Sequence, residues 1–459
     1  MEKLKNKDIL LEKIRSGQPM TYREQILLTV YLSIPAILAQ LSFVLMSYID
    51  TSMVGSLGAG PSASVGLVST STWIFGGFCS AATSGFSVQV AHLIGSNNFE
   101  KARGVLRKGI LTLILFSIAL CLIGISISEG LPHWLGGGDD IAGDASGYFF
   151  IFASFLPLIQ LNYLAGSMLQ ASGNMKVPSI LNILMCIMDV IFNYIFIFRC
   201  DMGVRGAALG TGVAEMITAS LMMYFLVVRS KELNLLQDKG SFMPDKECLR
   251  TALGISGPMW LQNVIMHGAQ IMSTIIVAPL GNIAIAANSF AITAESFCYM
   301  PGYGIEVATT TLVGQSLGAK RKELAKRFSR ISICMGAFIM TALSAVMYLT
   351  APLLMGMLSI DPDVVALGAR CLRIEAFAET MYGVSMVAYG ACVGAGDTLV
   401  PSAMNLLSMW VVRIGLALIL TPMYGLIGYW IAMCIELNFR GLLFLWRLRG
   451  EKWMKLSLA

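Results

Sequence analysis

The sequence is short of charge. Of 459 residues only 13% are Asp, Glu, Lys or Arg and 56% are hydrophobic, whereas a soluble globular chain carries roughly 25% charged residues. Most of such a chain cannot lie in water. Histidine is nearly absent, with three residues. No clustered Ser/His/Asp set, no metal-like Cys/His spacing and no phosphate-cradling Gly loop occurs, which argues against a membrane enzyme and against an ATP-driven pump. The cysteines (Cys79, Cys121, Cys186, Cys200, Cys248, Cys298, Cys334, Cys371, Cys392 and Cys434) stand singly without a CxxC pair and read as small packing residues. Residues 1–25 are Lys-rich and amphipathic and lack the apolar core of a cleavable signal peptide, so they are expected to stay in the cytoplasm.

Long apolar runs fill the rest. A spanning helix needs about 20 mostly apolar residues, and uncharged or nearly uncharged runs such as 110–127 and 331–354 recur along the whole chain. Cutting at Gly, Pro and charge clusters predicts twelve spans, starting near residues 26, 62, 109, 147, 178, 206, 251, 284, 331, 366, 400 and 425. Basic residues follow the second, sixth, eighth and twelfth spans: Lys101 to Lys108, Arg229 to Arg250, Lys320 to Arg330, and Arg447 to Lys455 at the end. The odd exits hold Glu129, Asp139, Asp140, Asp144, Asp361 and Asp363, with Arg199 and Arg205 the basic exceptions. Loops rich in Lys and Arg stay inside, so both termini are predicted to be cytoplasmic in a multi-pass plasma-membrane protein.

Subtracting residue numbers exposes a duplication. Pro258 minus Pro35, Gly281 minus Gly58, Gly318 minus Gly95, Gly396 minus Gly173, Pro401 minus Pro178 and Asn405 minus Asn182 all equal 223. Blocks align at the same shift, with HLIGSNNFEKAR over QSLGAKRKELAK and ASGNMKVPSILN over GAGDTLVPSAMN. Six spans per half give both halves the same membrane orientation, related by an axis along the membrane normal. The expected architecture is all-α: twelve transmembrane helices in two pseudo-symmetric six-helix bundles around a central cavity. The expected divisions are an amphipathic N-terminus (1–25), an N-terminal lobe (26–229), a cytoplasmic linker (230–250), a C-terminal lobe (251–446) and a cytoplasmic tail (447–459).

The strings IDTSMVGSLG, VGQSLGAKR, ASGNMKVPS, GAGDTLVPS and GVRGAALGT, in this order, spacing and duplication, resemble the multidrug and toxic compound extrusion (MATE) family over nearly the whole chain. The resemblance implies a bacterial-type exporter of amphipathic, often cationic organic compounds in exchange for H+ or Na+. It implies no cofactor beyond the coupling ion and no nucleic-acid partner; the chain is expected to act as a monomer in the lipid bilayer.

A charge at mid-membrane costs at least about 2.5 to 3.5 kcal/mol on insertion scales, so each one needs a partner, water or a task. Asp50 follows an apolar run 15 residues after Pro35, whose missing N–H makes the first helix a natural hinge. Asp189 and Asn193 are four apart on one face of the fifth span, as are Ala207 and Thr211 on the sixth. Carboxylate, amide, hydroxyl and backbone carbonyl oxygens suit a small alkali cation and equally suit a proton. The resemblance groups Asp50, Asp189, Asn193, Ala207 and Thr211 as the ion-coupling site, with Asp50, Asp189, Asn193 and Thr211 as metal ligands if the ion is Na+. The family's fifth-span pair often reads Asn then Asp, or Asn twice; here it is Asp then Asn.

At the 223 shift Asp50, Asp189 and Asn193 fall on Ser273, Val412 and Leu416, so the ion site belongs to the first half. The second half has acids of its own: Glu295, Glu306, Glu375, Glu379 and Glu436. Glu375 and Glu379 are expected to share a helix face. Glu295, Glu379, His267 and Tyr382 are candidates for lining the substrate cavity; the alternative for the acids is pairing with Arg370, Arg373, Arg413 or Arg440. Some family branches place acids in the seventh and tenth spans, where this chain has Met266 and Tyr382. A lipid-linked precursor flippase of similar fold is the rival function, but it calls for a cavity lined with Arg and Lys, and embedded basic residues are few.

Overall fold

A computed structural model describes residues 2–454, giving only the backbone course of residues 2–6 and 59. Met1 and residues 455–459, including Lys455 of the basic tail, lie outside the described residues. The described chain is helical, without a strand. After α1 (Glu2–Arg15) come α2 (Tyr22–Gly55), α3 (Ala59–Gly95), α4 (Phe99–Ile127), the short α5 (Leu131–Trp134) and α6 (Asp139–Ala171). Next are α7 (Lys176–Tyr194) and α8 (Gly203–Tyr224), extended by π-helical turns at Ile195–Arg199 and Phe225–Arg229. The second half holds α9 (Lys246–Val277), α10 (Asn282–Gly318), α11 (Lys322–Leu358), α12 (Pro362–Glu375) and α13 (Glu379–Gly394). It ends with α14 (Leu399–Leu407), a π-helical stretch Ser408–Ile414, α15 (Gly415–Tyr424) and α16 (Leu426–Arg449).

Eleven helical segments among the described residues are long and apolar enough to cross a membrane. The tenth predicted span is the exception, because it breaks into α12 and α13, of 14 and 16 residues. At the break Phe377 N donates to Ile374 O at 3.2 Å and Ala378 N to Glu375 O at 2.7 Å, the tighter i to i+3 pattern. A turn of that kind advances by about 120° per residue rather than 100°. Glu375 and Glu379 therefore do not share the face of one regular helix, contrary to the four-residue spacing.

The duplication is written into the backbone. Asn97 N donates to Ile94 O and Asn98 N to Leu93 O; Lys320 N donates to Leu317 O and Arg321 N to Ser316 O, each residue 223 further on. Asn97 and Lys320 both hold φ at 59°. The pair Gly173 and Gly396 repeats the pattern, with Gly173 N on Gln170 O and Gly396 N on Val393 O, both at 2.8 Å. These are left-handed C-caps that satisfy the last helical carbonyls of each half in the same way.

The helices pack as two compact units. One comprises residues up to Leu41 with those from Leu261 onward; the other is Ser42–Trp260. Thus α2 and α9 each pass from one unit to the other along their length. In the first unit Met347, Met355, Tyr429 and Trp430 centre the core. There Leu10, Leu11 and Ile14 of α1 are buried, and Arg321 donates to the Lys13 carbonyl at 2.8 Å. In the second unit Phe75, Phe149 and Leu156 form one core and Leu106, Leu164 and Met168 another. The segment between α8 and α9 is fastened to α4: Arg103 Nε lies 2.6 Å from Asp238 Oδ2, Arg107 reaches the other oxygen, and Lys108 pairs with Asp245.

Candidate ion and substrate sites

The site in the second unit is built where α7 and α8 cross at backbone contact. α8 opens with small residues at Gly206, Ala207 and Gly210. A Cβ on Gly206 would lie 2.7 Å from the carbonyl carbon of Phe196, and one on Gly210 would lie 2.8 Å from the backbone nitrogen of Asn193. No side chain fits there. The approach brings Ala207 and Thr211 of α8 beside the inward face of α7, where Asp189 and Asn193 are 0% and 1% exposed.

Asn193 ties the acids together. Its Nδ2 donates to Asp50 Oδ1 at 2.9 Å and to Asp189 Oδ2 at 3.1 Å. Both bonds need the amide's N–H groups turned to the carboxylates, so its carbonyl oxygen faces away, toward Gly210. Thr211 Oγ1 donates to the Ala207 carbonyl at 3.2 Å and lies beside Asp189. The structure therefore brings together all five residues read from the sequence. Asp189 Oδ1 and Asn193 Oδ1 are buried with no hydrogen-bond partner among the described residues. Placing the buried Asp189 carboxylate beside that of the half-buried Asp50 is costly unless a proton or cation offsets their charge.

Two residues near this set were missed by sequence reasoning. Tyr148 of α6 packs against the cluster of Val54, Ile197 and Ala207 and lies within electrostatic reach of Asp50 and Asp189. Its signal is weak, a tyrosine among many. Glu215 of α8 had a clear signal, an acid four residues after Thr211 in an apolar helix.

Pro35 lies inside an unbroken α2. Just beyond it, α10 approaches so closely that a Cβ on Gly304 would meet the Ile37 backbone nitrogen at 2.6 Å.

In the first unit Glu295, Glu375 and Glu379 are buried, and their charges act on one another. Both oxygens of Glu375 and of Glu379 lack a hydrogen-bond partner among the described residues; the Cys298 thiol lies beside Glu379. Among the described ion pairs, arginine pairing, the alternative expected for these acids, is realised at Glu436 alone. There Arg413 sits at 2.7 Å and Arg440 at 2.6 Å, and Ser408 Oγ donates to the same carboxylate. Neither Glu306 nor Glu375 forms a described ion pair, which corrects that expectation: Arg413 and Arg440 are both taken by Glu436. The Tyr382 ring lies 5.8 Å from that of Tyr299, tilted by 58°, and Tyr299 also neighbours Tyr303 and Glu295. His267 is half-buried on α9, and no described hydrogen bond joins it to Glu295, Glu379 or Tyr382.

With this geometry in place the relatives become informative. A family model described as MatE matches residues 35–195 and again 258–419, the two matches starting 223 residues apart (258 minus 35) like the sequence repeat. The chain belongs to the MatE family. It is a membrane transporter of the MATE type. It is 25% identical to a probable multidrug resistance protein NorM of Thermotoga maritima, over 93% of this chain and 92% of the relative. It is 23% identical to multidrug and toxin extrusion protein 1 of Danio rerio, over 93% of this chain and 73% of that protein. Among solved structures, an outward-facing multidrug resistance MATE transporter of the MOP superfamily shares its fold with a TM-score of 0.90 at 21% identity, covering 97% of this chain and 99% of the other. A MOP superfamily transporter from Pyrococcus furiosus aligns with a TM-score of 0.88 at 20% identity, again over 97% and 99%.

Proposed function

We propose that this MATE transporter exports amphipathic, often cationic organic compounds from the cytoplasm by antiport with protons. It works as a monomer with both termini cytoplasmic and needs no cofactor besides the coupling ion. The observation that carries the reading is the single amide of Asn193 donating to both Asp50 and Asp189. That arrangement points N–H groups at the centre of the site. A bare alkali cation needs oxygens there instead, so the arrangement favours a proton as the neutralising ion.

Loading the pair with a proton removes negative charge from α2 and loosens the hold of Asn193 on Asp50. Pro35 gives the same helix a place to bend, so ion occupancy and substrate access compete through one element. Glu295 and Glu379, neither in a described ion pair, supply negative charge for a substrate cation, with Tyr382 as an aromatic neighbour; His267 is a further cavity candidate. Sodium is the second reading. Rotating the Asn193 amide would join its oxygen to Asp50, Asp189, Thr211 and the Ala207 carbonyl as a hard-oxygen set.

Purified protein in liposomes, loaded with ethidium and given either a pH gradient or a Na+ gradient, separates the two. Ethidium movement driven by the pH gradient alone is the expected result. Movement driven only by Na+ overturns the proton assignment, and movement under neither overturns the antiport reading.

A further inference from the structure

α8 carries one more acid on the face of the ion site. Glu215 is four residues beyond Thr211 and eight beyond Ala207, which places it about 6 Å further along the helix axis than Thr211 at 1.5 Å per residue. With the expected orientation α8 runs from outside to inside, so Glu215 lies on the cytoplasmic side of the Asp50–Asp189 pair.

Its surroundings do not resemble a structural ion pair. Its one described hydrogen bond comes from Asn162 Nδ2, at 2.7 Å to Oε2. The titratable groups facing it are Asp189 and Cys186 of α7 and Tyr163 of α6, with Asp50 beyond Asp189; no basic residue is among them. Buried oxygens without a described hydrogen-bond partner stand at the two ends of this interval: Asp189 Oδ1 at the pair and Asn162 Oδ1 beside Glu215. Asp189 and Asn193 are almost fully enclosed. Buried acceptors lacking donors inside a membrane are satisfied by water or by the protons it carries.

We propose that Glu215 is the inner station of a two-station proton path. The outer station is the Asp50–Asp189 pair bridged by Asn193. In the transfer an O–H bond of the pair breaks, leaving a carboxylate, and the proton joins the Glu215 carboxylate through intervening water. Glu215 then gives the proton to cytoplasmic water and is a carboxylate again. This rests on the proton-antiport reading above.

The test compares wild type, Asp50→Asn, Glu215→Gln and Glu215→Asp in liposomes, measuring ethidium transport under an imposed pH gradient and ethidium binding at equilibrium. Glu215→Gln is expected to lower the maximal rate at least tenfold with ethidium affinity changed less than twofold, and Glu215→Asp to restore part of the rate. Wild-type rates in Glu215→Gln beside an inactive Asp50→Asn overturn the path and leave the antiport reading standing. A raised KM at unchanged maximal rate shows Glu215 to be a substrate carboxylate and also overturns the path. Full activity of Asp50→Asn, or wild-type transport driven only by Na+, overturns the reading beneath it. If Glu215→Gln does not reach the membrane, Asn162→Leu, which removes the Glu215 donor and the orphan oxygen, is expected to slow transport with the same unchanged affinity; a wild-type rate in that variant contradicts the path.

Discussion

Gly210 and Asn193 meet backbone to backbone: a Cβ at Gly210 would stand 2.8 Å from the amide nitrogen of Asn193 and 3.0 Å from its Cα. The contact sets how closely α8 can lie on α7. Gly210→Ala therefore has to separate the helices, an overpacking cost of about 1–3 kcal/mol, and it shifts the amide that bridges Asp50 and Asp189. A lower melting temperature in detergent and a loss of transport larger than the loss of folded protein are expected. Gly66→Ala is the control, because nothing lies within 4 Å of its Cβ. In a helix interior that change gains roughly 0.5–1 kcal/mol. Equal effects of the two substitutions would remove the special role of the crossing.

Asn193→Leu keeps the volume and removes the bridging donor. Hydrogen bonds to charged acceptors contribute about 1.5–3 kcal/mol each, and two are lost here. Transport at least tenfold below wild type, at near-normal levels in the membrane, is the expected outcome of a drug-resistance assay with immunoblotting. Normal resistance would show that the carboxylates act without the bridge.

Glu436 and Glu375 are both buried acids on the second half's helices, yet they should respond oppositely. Glu436 holds Arg413 and Arg440 and accepts from Ser408, and breaking a buried network of this kind costs about 3–5 kcal/mol. Glu375 makes no described hydrogen bond. Glu436→Gln is expected to lose most of its folded protein by fluorescence-detected size exclusion, whereas Glu375→Gln keeps it. The reverse order would mean that Glu375 is held by partners outside the described contacts.

The segment between α8 and α9 is held by charge. Arg107, with Arg103, keeps the Asp238 carboxyl below its ordinary range. A carboxyl lowered in the folded state contributes stability that is complete above its unfolded value of about 4 and is lost as pH falls through the lower folded value. Limited proteolysis after the exposed Lys239 should therefore proceed at the same rate at pH 8 and pH 5 in wild type and several-fold faster in Asp238→Asn at both. Cleavage that accelerates between pH 8 and pH 5 in wild type would contradict the latch.

Much of this was legible in the chain because the membrane makes charge conspicuous. Asp50, Asp189 and Asn193 stand out against apolar runs, and the four-residue spacing of Asp189 and Asn193 places them on one face before any coordinates are known. The repeat was legible too, since Gly173 and Gly396 are needed for left-handed caps in both halves. The break between Glu375 and Glu379 was not, because the three residues there are Ala376, Phe377 and Ala378, with neither Pro nor Gly to mark it. Which acids would pair with arginine was equally hidden: it depends on where Arg413 points, and Arg413 stands in a π-helical stretch that shifts the face it presents. Glu215 was readable and passed over, its spacing from Thr211 being the same that identified the fifth-span pair.

The central claim is that the Asp50–Asp189 pair carries the coupling proton. Its most direct measurement is proton release from purified protein in weakly buffered detergent on adding ethidium, in wild type and in Asp50→Asn. Wild type is expected to release protons, less as the starting pH is raised and the pair is already empty, and Asp50→Asn is expected to release at least tenfold fewer while still folded. Undiminished proton release from Asp50→Asn would contradict it.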